Sequence, residues 1–277
     1  MTLKFSKMHG LGNDFIVIDA INQAFDPDPD QIRAWANRQT GIGFDQLLLV
    51  EKAQSEKAVF KYRIFNADGG EVEQCGNGAR CIARYLREKK LTDLDLIPVE
   101  TCNGLIVLEM IDSSQARVNM GVPQFDPQKI PLDTDHRSEV YTLTIDGQHI
   151  QFSALAIGNP HIVIQVDQID QAEVDTLGPI LESHPFFPQQ VNVGFMQRLD
   201  RGNFNLRVFE RGVGETKACG SGACAAMVAG HRLGLLDSQA QAHLLGGELK
   251  LEWQGDQNPV MMTGETAMVF EGEINNE

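Results

Sequence analysis

The sequence predicts an α+β protein made twice, each copy a β-rich domain wrapped around one central helix. Two observations carry that prediction. The chain has 277 residues, 42% hydrophobic and 22% charged, which is apolar material for two modest domains and too much length for a small stapled scaffold. The same order of short motifs also occurs in both halves, and most of those motifs sit on β-type rather than helical patterns.

Gly12-Asn13 followed by Ile16-Val17-Ile18 recurs as Gly158-Asn159 followed by Ile162-Val163-Ile164, an offset of 146. At an offset of 144, Phe60, Arg63 and Phe65 match Phe204, Arg207 and Phe209, Gly70-Glu71 matches Gly214-Glu215, and Cys75-Gly76-x-Gly78-Ala79 matches Cys219-Gly220-x-Gly222-Ala223. A GN turn, a strand, a GE turn and a CGxGA helix start thus follow one another twice with almost no drift, which is the mark of duplication.

The elements follow in chain order from period and punctuation. Phe15–Asp19 reads as a strand, rich in branched apolar residues and bounded by Asn and Asp. After Asp26-Pro27-Asp28-Pro29-Asp30, residues Gln31–Arg38 have a helical mix, with Asp30 as the expected cap. Gln46–Val50 and Phe60–Phe65 are the next strands, and Gly76–Lys90 is a helix entered through Cys75. Leu105–Glu109 closes the first half, and the division is expected in the polar stretch Asp126–Arg137, giving domains 1–130 and 131–277, with a C-terminal strand able to cross back to the first. In the second half Val140–Ile145, Ile162–Val166, Asn205–Phe209 and Leu249–Trp253 read as strands, and Gly220–Leu235 as a helix so rich in small and apolar residues that it should be buried all round. The acidic end Glu271–Glu277 reads as a solvated tail.

Composition narrows the function. With 23 basic and 38 acidic side chains the net charge is −15, a field that repels a phosphate backbone, so no nucleic-acid partner is expected. No stretch approaches the roughly 18 apolar residues of a membrane helix, so no membrane partner is expected, and the opening lacks the apolar core of a secretory signal. A reducing cytoplasm is the expected location. There the five cysteines are thiols rather than a disulfide framework. Cys81, Cys102 and Cys224 read as small buried hydrophobes.

Cys75 and Cys219 are different because they are duplicated. Each sits where a strand hands over to a helix, beside unpaired N–H groups and the positive end of the dipole, a setting expected to favour thiolate. The N–H groups of Gly76-Asn77 and Gly220-Ser221 can hold a carboxylate, the local positive feature that an anionic substrate needs on so acidic a chain. Two such thiols on opposite faces of one carbon, in the cleft between like domains, can remove a proton on one side and return it on the other. Metal is not expected, because Cys81 and Cys224 each fall inside a helical run rather than a zinc knuckle. Neither a P-loop nor a dinucleotide fingerprint is present.

With Lys7-Met8-His9-Gly10-Leu11-Gly12-Asn13-Asp14-Phe15, Gln74 through Cys81, Gly158-Asn159-Pro160-His161, Val208-Phe209-Glu210-Arg211-Gly212 and Ala218 through Cys224, the chain resembles the diaminopimelate epimerase family from about Phe5 to Gly272. The resemblance implies two similar domains, each a β-barrel-like mixed sheet around a central helix, with the active site between them, usually in homodimers. It implies a cofactor-independent, two-base epimerase interconverting LL- and meso-2,6-diaminopimelate for bacterial lysine and peptidoglycan precursors. It assigns catalysis to Cys75 and Cys219, tuning of the cysteines to His161 and Glu210, and substrate binding to Asn13, Gln46, Asn66, Asn159, Asn192, Glu210 and Arg211. Gly76-Asn77 and Gly220-Ser221 match its carboxylate cradles. Arg211, able to grip a carboxylate through two parallel bonds, is the expected partner of the distal carboxylate. Two other readings remain at this point: an epimerase or racemase of another amino acid, of the proline or hydroxyproline type, and a thiol redox or metal-binding protein.

Overall fold

The duplicated motifs lie on a duplicated order of strands and helices. In the computed structural model, which describes residues 2–72, 75–102 and 104–275, the chain divides into two compact units, Met1–Asn119 with Gly264–Glu277, and Met120–Thr263. The first runs β1 (Thr2–Gly10), β2 (Asn13–Asp19), α1 (Pro29–Ala36), β3 (Gln46–Lys52), β4 (Phe60–Asn66), β5 (Glu71–Val72), α2 (Gly76–Glu88), β6 (Leu96–Thr101), β7 (Gly104–Met110) and β8 (Gln115–Asn119). The second runs β9 (Tyr141–Ile145), β10 (Gln148–Ala156), β11 (Pro160–Gln165), α3 (Val174–Glu182), β12 (Asn192–Arg198), β13 (Asn203–Glu210), β14 (Gly214–Thr216), α4 (Gly220–Arg232), β15 (Gln239–Leu244), β16 (Gly247–Glu252) and β17 (Met261–Glu265). Finally β18 (Ala267–Asn275) belongs to the first unit.

Pairing is the same in both. β1 is antiparallel to β2, β2 parallel to β3, β3 antiparallel to β4, and β4 parallel to β6. In the second unit β10, β11, β12, β13 and β15 repeat that series in the same senses. Parallel neighbours need a crossover, which α1 and α3 supply between the first pair and α2 and α4 between the second. Because helices cover both faces, the central strands are apolar throughout rather than alternating. Ile16, Ile18, Leu47 and Leu49 form one core with Ile32 and Trp35 of α1, while α2 packs on the other side of β2 and β3. Ile162, Ile164, Val193 and Phe195 likewise form a core with Val174 and Leu181 of α3, opposite α4. In α4 every residue from Gly222 to Gly230 is buried, as its composition predicts.

A second device is copied with the strands. Arg63 grips Glu71 through Nε and Nη2 at 2.8 and 2.7 Å, and Arg207 grips Glu215 in the same way at 2.6 and 2.8 Å. Each clamp fastens the short strand that leads into the cysteine-capped helix.

Several expectations are corrected. The units divide at Asn119/Met120 rather than at residue 130. Glu271–Asn275 is no solvated tail, since it pairs along β1 from Ser6↔Glu271 to Thr2↔Asn275, and Ile274 packs onto the first core. Its acidic residues lie on the exposed side of β18, where Glu271 meets Lys89 and Glu273 meets Lys4. Asn276 and Glu277 lie outside the described residues. The cap of α1 is Asp28, which accepts from the Gln31 N–H at 2.9 Å, because Pro29 takes the first helical position. Helix α3 was not expected, since its interior Pro179 breaks the helical pattern. Cys81 and Cys224 are buried, whereas Cys102 is exposed at the turn after β6.

Candidate active site

In each unit the sequence-predicted residues gather at one end of the sheet. β2 starts at Asn13, β3 starts at Gln46, β4 ends at Asn66, and α2 starts after Cys75; Asn159, Asn192, Glu210 and Cys219 hold the corresponding places. The chain enters β2 and β11 through Gly12 and Gly158, at φ 86° and 75°, a left-handed turn that suits glycine. Both cysteines are helix N-caps, a place usually held by an oxygen side chain. Cys75 Sγ accepts the Gly78 N–H at 3.4 Å, and Cys219 Sγ accepts the Gly222 N–H at 3.4 Å. The third position of each motif is glycine for a packing reason. A Cβ on Gly78 would lie 3.0 Å from Leu48 Cδ2 in β3, and one on Gly222 would lie 3.0 Å from Val208 Cγ2 in β13. The helix mouths are thus pressed against the strands, with the sulfurs at their tips.

In the first unit the partly buried Cys75 points its Sγ–H to Asn13 Oδ1 at 3.7 Å, and Asn77 Nδ2 donates to the same oxygen at 3.3 Å. Gln46 and Asn66 face each other in register, Gln46 Nε2 donating to Asn66 Oδ1 at 2.8 Å. Gln46 Oε1 is buried with no acceptor role filled among the described residues, so it can take a donor from a bound molecule. Buried Tyr62 lies within electrostatic reach of Cys75; burial raises its phenol, and the neighbouring sulfur adds to the rise.

The second unit sets its cysteine differently. Burial pushes the Cys219 thiol well above its ordinary value and the Glu210 carboxylate adds to it, while the Gly222 N–H and the Ser221 hydroxyl at 3.7 Å pull the other way. The helix mouth therefore does not make Cys219 a resting thiolate, contrary to expectation: full burial beside a carboxylate outweighs two hydrogen bonds. Glu210 is fastened by the Thr216 hydroxyl. His161 is fully buried, and burial, with the Arg211 charge adding, lowers its imidazole to about 3, so the ring is neutral. With its proton on Nε2 it donates to Asn159 Oδ1 at 2.9 Å. Asn192, also buried, donates to the Pro160 carbonyl at 3.0 Å and accepts the Arg211 N–H at 2.9 Å. The exposed Arg211 guanidinium donates to the Gln189 carbonyl at 3.0 Å.

Each unit thus brings together its own share of the expected residues. Gln74 lies outside the described residues. Sequence reading did not single out Asp45, which holds Asn13, nor Thr216 on Glu210, nor buried Glu182, whose Oε1 accepts the Gly212 N–H at 2.9 Å. The available signal was divergence between the copies, since Thr216 stands where the first copy has Val72. Among the described residues no group of three or more His, Cys, Asp and Glu side chains is placed to hold a metal ion, and no helix is long and apolar enough to cross a membrane.

A sequence model of the family described as diaminopimelate epimerase matches residues 5–125 and 153–269. Proteins named diaminopimelate epimerase from Nitrosomonas europaea and Chromobacterium violaceum are 57% and 54% identical to the chain over 274 residues, 99% of either partner's length. Among solved structures, a hydroxyproline epimerase from Agrobacterium vitis superposes with a TM-score of 0.71 at 15% identity, covering 99% of this chain and 92% of that one. A phenazine biosynthesis protein of the PhzF type from Bacillus anthracis gives 0.67 at 14%, covering 99% of each. At such identities these two likenesses speak to the fold alone.

Proposed function

The chain belongs to the diaminopimelate epimerase family, and on that premise we propose that it interconverts LL- and meso-2,6-diaminopimelate, with Cys75 and Cys219 as the two acid/base groups. The observation that carries the reading is the duplicated helix mouth, with one sulfur at each and the same 3.4 Å N–H contact from the residue three positions on. The reaction requires both sulfurs to reach one α-carbon from opposite faces. One sulfur, as thiolate, takes the α-proton; the other, as thiol, delivers one to the far side, so the centre inverts and the two sulfurs exchange protonation states. The transfer balances without an oxidant, a metal or a cofactor.

The hard step is making a carbanion beside a carboxylate. Backbone N–H groups of Gly76-Asn77 and Gly220-Ser221 stabilise the charge as it spreads onto that carboxylate, and a preorganised donor of this kind is worth about 3 kcal/mol at the transition state. Burial and Glu210 hold Cys219 toward its thiol form, and each sulfur serves as base for one isomer and as acid for the other. Neutral His161 orients Asn159 rather than carrying a proton. Asn13, Gln46, Asn66, Asn159 and Asn192 supply amides for the two amino-acid ends of the substrate, and Arg211 takes the distal carboxylate.

A homodimer working in a reducing cytoplasm completes the proposal. Exposed Val269 and Phe270 on β18 support the dimer, and the five free cysteines agree with the compartment. Incubation with LL-diaminopimelate in D2O is expected to yield the meso isomer carrying deuterium at one α-carbon. Absence of exchange at every substrate concentration, or exchange with free proline or hydroxyproline instead, would overturn the assignment. Turnover that cycles a Cys75–Cys219 disulfide would favour the redox reading.

A further inference from the structure

The two copies of the duplicated asparagine are held by different means. Asn159 is held through its oxygen by His161, two residues along its own strand. The corresponding residue of the first copy is Phe15, which cannot do this, and Asn13 is held instead by Asp45 from the neighbouring strand's approach loop. Asn13 Nδ2 donates to Asp45 Oδ2 at 2.9 Å, and the Asp14 N–H donates to the same oxygen at 3.1 Å. By the paired registers Phe15↔Gln46 and His161↔Asn192, Asp45 corresponds to Val191, a fully buried apolar residue. A carboxylate therefore stands in one copy where the other has none.

Asp45 is itself fixed at both its backbone and its side chain. Its N–H donates to the Asp14 carbonyl at 2.9 Å, and its carbonyl accepts the Ala67 N–H at 3.1 Å, which ties it between the start of β2 and the end of β4. Arg38 Nη2 bridges Asp45 Oδ1 and Asp14 Oδ1, each at 2.6 Å. Asp14 is gripped in turn by Lys7, which also donates to the Gly43 carbonyl. An ionised carboxylate only accepts, so the nitrogen of the Asn13 amide must face Asp45 and its oxygen must face the other way, toward Cys75 Sγ and Asn77 Nδ2.

We propose that Asp45, braced by Arg38, is a positioning residue for the reaction: it holds the Asn13 amide by its nitrogen so that Oδ1 is presented to Cys75, whereas in the second copy His161 holds the Asn159 amide by its oxygen. With Asp45 in place the amide offers the sulfur an acceptor, which restrains the thiol proton; without it the amide turns and offers the sulfur N–H donors. The inference rests on the proposed role of Cys75 for its catalytic consequence, though not for its geometry.

The test is a double-mutant cycle read in two ways on the full-length protein, with Asp45→Ala, Asn13→Ala and the double variant. The first readout is the rate at which iodoacetamide alkylates Cys75 at fixed neutral pH, followed on the Cys75 peptide by mass spectrometry. Asp45→Ala should accelerate alkylation several-fold in the parent, and should add nothing to Asn13→Ala. The second is epimerisation of LL-diaminopimelate, where Asp45→Ala should lower kcat/KM about tenfold in the parent and leave Asn13→Ala unchanged. Equal effects of Asp45→Ala in both backgrounds would mean that its charge acts on the sulfur through space, and would overturn the proposal. So would an unchanged alkylation rate in Asp45→Ala. Because alkylation uses no substrate, a protein that shows the coupling yet fails to epimerise diaminopimelate would remove the functional reading and leave this one standing.

Discussion

The two cysteine-capped helix mouths share a backbone and differ in what surrounds the sulfur. Cys75 is partly buried, faces an amide oxygen and has a tyrosine nearby; Cys219 is buried, faces a carboxylate and lies in the unit that holds a neutral histidine. The common part consists of the parallel strand pair, the left-handed GN turn, the Arg–Glu clamp and the sulfur cap. The variable part occupies a handful of equivalent places: Phe15 against His161, Asn66 against Glu210, Val72 against Thr216, and Asp45 against Val191. Duplication thus preserved the positions of the two sulfurs, while substitution made their environments unequal. The proposed two-base mechanism needs one sulfur without a proton and the other with one at the start of each turnover, so the surroundings of each sulfur bear directly on it.

The largest expected effect removes the pairing itself. Cys75→Ala and Cys219→Ala should each lower epimerisation at least about a thousandfold, measured as deuterium uptake and optical change. If either variant keeps parental turnover, the two halves do not act as one catalytic pair.

A smaller effect makes the halves more alike. Glu210→Gln removes the carboxylate that faces Cys219, so thiolate should form at lower pH than in the parent: Glu210 raises the thiol, and its loss lowers it. The pH at which iodoacetamide begins to modify the Cys219 peptide should fall, and kcat should drop about ten- to a hundredfold as the sulfur loses its proton early. An unmoved alkylation profile would mean that burial alone sets Cys219.

The smallest effect concerns the shared frame. Arg207 and Glu215 are each 19% exposed at the side chain, whereas Arg63 and Glu71 are 25% and 37% exposed. Screening by water weakens the second pair, so Arg207→Ala should destabilise by about 1 kcal/mol and Arg63→Ala by roughly half that. Thermal unfolding distinguishes the two, and equal shifts would show that exposure does not separate the clamps.

Much of this was legible in the residues. The repeat, eight of the strands, the two cysteine-capped helices and the buried character of α4 all follow from motif order and from runs of branched and aromatic residues, which in β2, β3, β11 and β12 are apolar throughout because helices cover both sheet faces. What escaped was made by pairing rather than by pattern. β18 is acidic along its outer side and still forms a strand, because β1 offers it a free edge; α3 forms around Pro179 because its apolar residues have a core to join. At the candidate site, the family's motifs and their duplication named side chains that the fold places at one end of each sheet. Their states the sequence could not indicate. A cysteine at a helix mouth reads as thiolate until burial and Glu210 push the Cys219 thiol up, and nothing in the order of residues says that full burial keeps His161 neutral. The sequence by itself determined the repeat and the chemistry on offer, since both depend on order along the chain. Only the tertiary structure decided protonation and orientation, because these depend on desolvation and on partners, such as Asp45 for Asn13, that lie 32 residues away in the chain.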